Sequence, residues 1–269
     1  LRQGEGRTAV TGFLKVDTLD APTTAALRRF VLSLADSKRL MGIRYSDWLL
    51  GAPSLETGIA ASSMCQDEWG HARLLYAMLK DLGEDPAVVE HERPDGAYAS
   101  VDPLDAPFPD WAAVVAGMVL VDGALSAVLE SFSRGRYEPA TTRVPKMISE
   151  EEFHRSLGVA WYRRLAESSS DEARGLLRKA TEAMLPVTLA WVGACDEPAV
   201  RLVEAGVVGP APELTAAFRA AVREVVSLAG VDVDAALPAA AWDTARGRGP
   251  GHPDADALAR ARGDRNRAL

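Results

Sequence analysis

Cysteine is nearly missing from this 269-residue chain: it occurs twice, at Cys65 and Cys195. Two thiols hold neither an iron–sulfur cluster nor a disulfide framework, so a reducing compartment, the cytoplasm, is expected. Basic residues are outnumbered: Lys+Arg 30 against Asp+Glu 38 leaves a formal net charge of −8, and a nucleic-acid partner has no electrostatic support. No flavin or haem motif occurs, and the opening Leu1-Arg2-Gln3-Gly4 carries no apolar h-region of a signal peptide. Strand-type alternation is scarce as well.

Long apolar runs are few. The exception is Trp111 to Leu129, about the length that crosses a bilayer. Asp122 lies inside it beside Gly123, and no Lys/Arg cluster flanks its start. An ionised Asp facing lipid is costly, so the run reads as a buried bundle helix carrying one deliberate carboxylate, and no membrane partner is expected.

Helical period is what the chain has in abundance. Thr23 to Leu50 reads as a first long helix, with Leu27, Phe30, Val31, Leu34, Leu40, Met41 and Ile43 as its apolar positions. A break at Ala52-Pro53-Ser54 precedes a second helix, Leu55 to Leu82, ended by Gly83. Residues 84–108, rich in Pro, Asp and Glu, read as a long crossover loop. A third helix runs from Pro109 to about Arg134, and a fourth from about Ala140 to Ala166 with Pro145 near its first turns. Asp171 to Ala194 is a fifth, and Pro198 to Ala205 and Pro212 to Ala229 are shorter ones. The expected organisation is all-α. An N-terminal extension (1–22) leads into a helical bundle (23–195) and a C-terminal helical appendage (196–244), and a disordered tail (245–269) follows, poor in bulky apolar residues.

Two of the four histidines follow a glutamate by three residues: Glu68-Trp69-Gly70-His71 and Glu151-Glu152-Phe153-His154. Residues i and i+3 share a helix face. Two such helices facing each other gather two carboxylates and two imidazoles at one point, as in the two-metal sites of ferritin-like four-helix bundles. Hard cations need bridging carboxylates and a neutral imidazole each, so Glu68, His71, Glu151 and His154 are candidate metal ligands, with Asp122 as the third-helix ligand. Asp67 and Glu150 are candidates to accept the remaining imidazole N–H groups. Trp69 and Phe153 are expected to line a dry pocket beside the metals. A lone Glu-x-x-His usually marks a solvated helix face; two of them with a buried Asp on a helix between are hard to obtain by accident. The first helix should add a carboxylate, and Asp36 is the one acid placed to help.

With these residues in view, the chain resembles the phenylacetate-catabolism oxygenase family, the ferritin-like subunits of the multicomponent phenylacetyl-CoA ring epoxidase. Trp48, Ala52-Pro53-Ser54-Leu55, Gln66-Asp67-Glu68-x-Gly70-His71, Asp122-Gly123, Tyr137-x-Pro139 and Glu150-Glu151-x-Phe153-His154 carry the resemblance, over roughly residues 25–200. Asp122 matches the Asp that the catalytic subunit uses. Tyr45-Ser46-Asp47-Trp48, Leu55-Glu56 and His71-Ala72-Arg73-Leu74-Leu75 are similar instead to the structural subunit, which has lost its metal ligands. The resemblance implies a di-iron-type centre (manganese being the other metal considered), an aromatic acyl-CoA or similar acid as substrate, and electrons from a separate reductase. It also implies a homologous ferritin-like subunit or self-association.

One position departs from that pattern. Thirty residues before Glu68, where the catalytic subunit's first-helix Glu falls, stands Lys38. Its ammonium could neutralise the carboxylates in place of a metal, or a desolvated neutral amine could act as ligand or proton donor. Carbamylation, or an escape of the side chain to solvent, are the other readings. Lys38, Glu68 and Glu151 are therefore the candidate catalytic residues. On this reading the site of Asp122, Glu151 and His154, bridged by Glu68, is complete, and the one built on Glu68 and His71 lacks a ligand. The expected function is a di-metal oxygenase; the alternative is a metal-free scaffold subunit in which Lys38 replaces the metal charge.

Overall fold

The computed structural model describes residues 12–264, so positions 1–11 of the expected N-terminal extension and 265–269 of the expected tail lie outside it. Long helices form the frame. α1 (Ala21–Ser46) opens on Asp20, whose side chain accepts from the Thr23 amide at 2.8 Å, with proline in the first turn. It ends at Ser46, four residues earlier than the apolar pattern suggests, because 47–50 form a turn. Ser54 caps α2 (Leu55–Met78) through the Thr57 amide; one 3₁₀ turn follows, and Gly83 stops the chain in the left-handed region that glycine adopts without strain.

The crossover is more structured than its composition suggests, since it contains the short helix α3 (Pro86–His91). The long apolar helix then runs as α4 (Trp111–Gly117), a π turn (Met118–Asp122) and α5 (Gly123–Ser133). Its most apolar window is 83% buried inside the protein, so this is a core helix of the bundle. α6 (Glu138–Ala166) and α7 (Asp171–Val192) carry Pro145 and Pro186 in their interiors. α8 (Glu197–Glu204) and α9 (Ala211–Ser227) complete the expected helices. Among the described residues there is no strand, only two isolated bridges. The architecture is an all-α, ferritin-like bundle. Buried residues of α8 and α9, such as Leu202, Phe218 and Val222, belong to the same hydrophobic core as the long helices.

The expectation of a disordered tail is corrected as far as residue 264. Arg248 is fully buried; it binds the carboxylates of Asp102 and Asp105 and reaches Ser100 Oγ at 3.3 Å. A further helix, α10 (Ala255–Arg262), buries Ala257, Leu258 and Ala261, and Arg44 holds Asp254 at 2.7 Å. Composition misleads here because the segment is anchored by arginine–aspartate pairs and small apolar side chains rather than by bulky ones.

Candidate metal centre

The i, i+3 spacing turns both Glu-x-x-His pairs inward, from α2 and from α6. Asp122 closes the π turn, whose extra residue shifts the face that the following helix presents and aims this carboxylate into the bundle. Glu68, His71, Asp122, Glu151 and His154 are all at most 3% exposed. One ligand atom from each of Glu68, Asp122, Glu151 and His154 lies within 4.8 Å of the others.

Lys38 is fully buried at the centre of this group. Its Nζ donates to Glu68 Oε1 at 2.9 Å, Asp122 Oδ1 at 2.8 Å and Glu151 Oε1 at 2.5 Å. Escape of the side chain to solvent is thus excluded. Burial alone would depress its pKa, but the carboxylates of Asp122, Glu151 and Glu68 hold the ammonium well above the usual lysine range.

The opposite oxygens of Asp122 and Glu151, and the same Oε1 of Glu68, face the imidazole of His154. Its Nδ1 lies 3.1 Å from Asp122 Oδ2, 3.3 Å from Glu68 Oε1 and 3.6 Å from Glu151 Oε2. His71 Nδ1 lies 3.1 Å from Glu151 Oε1. The outward Nε2 atoms meet the two expected outer carboxylates: His71 meets Glu150 at 2.8 Å, and His154 lies 3.4 Å from Asp67. Each imidazole is held between an inner and an outer carboxylate, the arrangement that fixes a ligating histidine. Desolvation lowers the His154 pKa, yet its bonds to Asp122 and Glu68 push it up to about 11. Burial and the neighbouring Asp122 push Glu68 up to about 7 against the pull of Lys38, whereas Lys38 and His154 overcome burial to hold Asp122 well below the usual range. Glu68 Oε2 is buried without a hydrogen-bond partner.

Two expectations fail. Asp36 is buried but belongs elsewhere: Arg93 binds it, Tyr76 Oη donates to it at 2.6 Å and the Ala99 amide at 2.8 Å. Two residues before Lys38, it faces a different side of α1 and ties the crossover loop down. Trp69 and Phe153 do not line a dry pocket. They are 36% and 49% exposed, because positions next to an inward ligand point outward on a helix, and Trp69 packs on Gly42 beside Arg39.

Two contributors escaped the reading of the motifs. Tyr45 Oη donates to Asp122 Oδ2 at 2.8 Å, and Ser126 Oγ donates to Glu151 Oε2 at 3.2 Å. Both could have been found by helical register, since Tyr45 lies seven residues after Lys38 and Ser126 four after Asp122.

The donor set suits a hard divalent cation, with carboxylates, one imidazole and an orphaned carboxylate oxygen gathered at one buried point. Fold and site together define a ferritin-like helical bundle with a buried carboxylate–histidine group able to hold a metal ion. The family model described as phenylacetic acid catabolic protein matches residues 14–259, and the chain belongs to that family. A comparison with curated proteins finds no match.

Proposed function

We propose that the protein is an oxygenase component of the phenylacetate-catabolism type that binds one metal ion through Asp122, Glu151, His154 and Glu68. Iron is the favoured metal and manganese the alternative. One observation carries the reading. Asp122 and Glu151 each turn one oxygen to the Lys38 ammonium and the other towards His154 Nδ1, with Glu68 Oε2 left unpaired among them. Lys38 thus compensates part of the carboxylate charge without using all of the donor atoms.

A bound metal would supply a Lewis-acidic, redox-active centre for O2 activation. The protein's own groups prepare that place. The Lys38 ammonium holds three carboxylates in one orientation, Tyr45 fixes Asp122 Oδ2, and Ser126 fixes Glu151 Oε2. Glu150 and Asp67 keep the imidazole Nδ1 atoms facing inward. The substrate of this reading is an aromatic acyl-CoA or similar acid, oxidised in the cytoplasm with electrons from a separate reductase, and a homologous ferritin-like subunit or a second copy is the structural partner.

A second reading is favoured by the same lysine. Its three hydrogen bonds already satisfy one oxygen of each carboxylate, which suits a metal-free scaffold subunit derived from an enzyme. Elemental analysis after anaerobic Fe(II) and Mn(II) loading separates the two. The oxygenase reading expects on the order of one ion per wild-type chain, lost in Asp122→Asn. An empty wild type beside a filled Lys38→Glu variant would establish the scaffold.

A further inference from the structure

One cavity lies apart from the ligand cluster. Residues of α1, α5, α7, α8 and α9 form its walls, together with Arg246 and Gly247 of the C-terminal segment. It shares no residue with the pocket that Asp122 and Glu151 help to line. Its space, mouth included, is about 570 Å³, within the range of sites for small organic molecules. The rings of Phe30 and Trp191 and the side chains of Leu202 and Leu214 make the lining chiefly apolar.

The charges in that lining are already matched. Arg29 grips Asp196 with both Nη atoms, at 2.6 and 2.8 Å, and its Nη1 also donates to the Thr244 carbonyl at 2.5 Å. Arg246 donates to Asp243 at 2.7 Å and to the carbonyls of Gly251 and Pro250. No Asp or Glu is among the lining residues. An ionic guest would shed its water there without meeting a free charge of opposite sign.

One polar group is left open. Ser33 is 4% exposed, and its Oγ accepts from Trp191 Nε1 at 2.9 Å. Its hydroxyl hydrogen meets no acceptor among the described residues, whereas Ser37, one turn on, donates its own to the Ser33 carbonyl at 2.6 Å. A buried donor without a partner is costly, and an acceptor brought into the cavity would satisfy it. Aromatic walls favour a flat guest, since ring pairs gain from edge and offset contacts beyond the area they bury. We propose that this cavity binds an uncharged aromatic molecule with one hydrogen-bond acceptor, its ring against Phe30 and Trp191 and its acceptor on the Ser33 hydroxyl. The site is independent of what the ligand cluster holds, and it needs neither the oxygenase nor the scaffold reading.

Calorimetric titration of the full chain tests it, with acetophenone, ethylbenzene and benzoate as probes of similar size. Ethylbenzene lacks the acceptor, and benzoate carries a charge. The preference for acetophenone over ethylbenzene should fall about three- to tenfold in Ser33→Ala, the worth of one hydrogen bond. Benzoate should bind wild type about tenfold or more weakly than acetophenone does. Ala199→Phe, which fills the cavity from α8, should abolish acetophenone binding. Ala221→Phe, which fills the pocket beside the ligand cluster, should leave it unchanged. An unchanged preference in Ser33→Ala, benzoate bound as tightly as acetophenone, binding lost in Ala221→Phe or kept in Ala199→Phe, or no binding of acetophenone overturns the proposal. Two of these outcomes are read on wild type alone, so a variant that fails to fold cannot shield it.

Discussion

Lys38 is the residue on which the interior depends. Three carboxylates within hydrogen-bond reach of one buried ammonium are stable because each charge has a partner of opposite sign and defined geometry. Replacing the lysine by an apolar side chain of similar length leaves the carboxylates with only the imidazoles of His154 and His71 as partners. Lys38→Met should therefore lower the unfolding free energy of the metal-free protein by roughly 3–5 kcal/mol, read from urea titration. A loss below about 1 kcal/mol would mean that protonation of the carboxylates relieves the repulsion and that the lysine is dispensable. Tyr45, whose phenol is pushed well above its ordinary pKa by burial and by Asp122, remains a donor throughout the physiological range.

At the scale of elements, two pieces depart from regular helix or loop, and both have a positional consequence. The π turn of Met118–Asp122 interrupts an otherwise continuous apolar helix where it must deliver a carboxylate inward and leave a pocket wall beside it. The C-terminal strap, held by Arg248 against Asp102 and Asp105 and by Arg44 against Asp254, fastens the crossover loop to α1. Arg248→Ala empties a fully buried guanidinium site and unpairs two aspartates that are each about one-fifth exposed, which moderates the cost. The expected loss is about 2–4 kcal/mol, with earlier amide exchange in residues 243–264 than in α2. Unchanged exchange in that segment would show that its small apolar contacts hold it without the arginine.

Across the whole molecule, the buried charges set how stability responds to pH. The bonds of His154 to Asp122 and Glu68 outweigh its burial and push it up to about 11, so its stabilising part is complete below the unfolded value of 6.5 and is lost as pH rises towards 11. Glu68, pushed up to about 7 by burial and by Asp122, makes the fold bind a proton that the unfolded chain has released, so stability also falls as pH rises from 4.5 through 7. The two slopes share a sign. The Tm of the metal-free protein should fall steadily from about pH 6 to about pH 9, and His154→Gln should flatten that slope. A Tm that rises over this range would contradict the arrangement of charges described here.

Much of the fold was legible in the chain because helical period and capping are local. Asp20, Ser54 and Asp110 each cap the helix that follows them, and the apolar positions of the first two helices lie where the core needs them. The Glu-x-x-His pairs announced the ligand cluster for the same reason: i, i+3 spacing decides a face without reference to the rest of the molecule. Asp36 and Lys38 could not be sorted that way. Both are charged and both end up buried, and only the packing of α1 against its neighbours sends one to Arg93 and the other to the three carboxylates. The tail was misread because its anchors are ion pairs with residues about 145 positions away, a long-range term that composition does not carry. Local period and capping specified the long helices, their inward faces and the set of residues offered to a cation, but not α3, the π turn or α10. The tertiary structure alone decided which buried charges meet, because Coulomb and hydrogen-bond energies depend on distances in space that the order of residues does not contain.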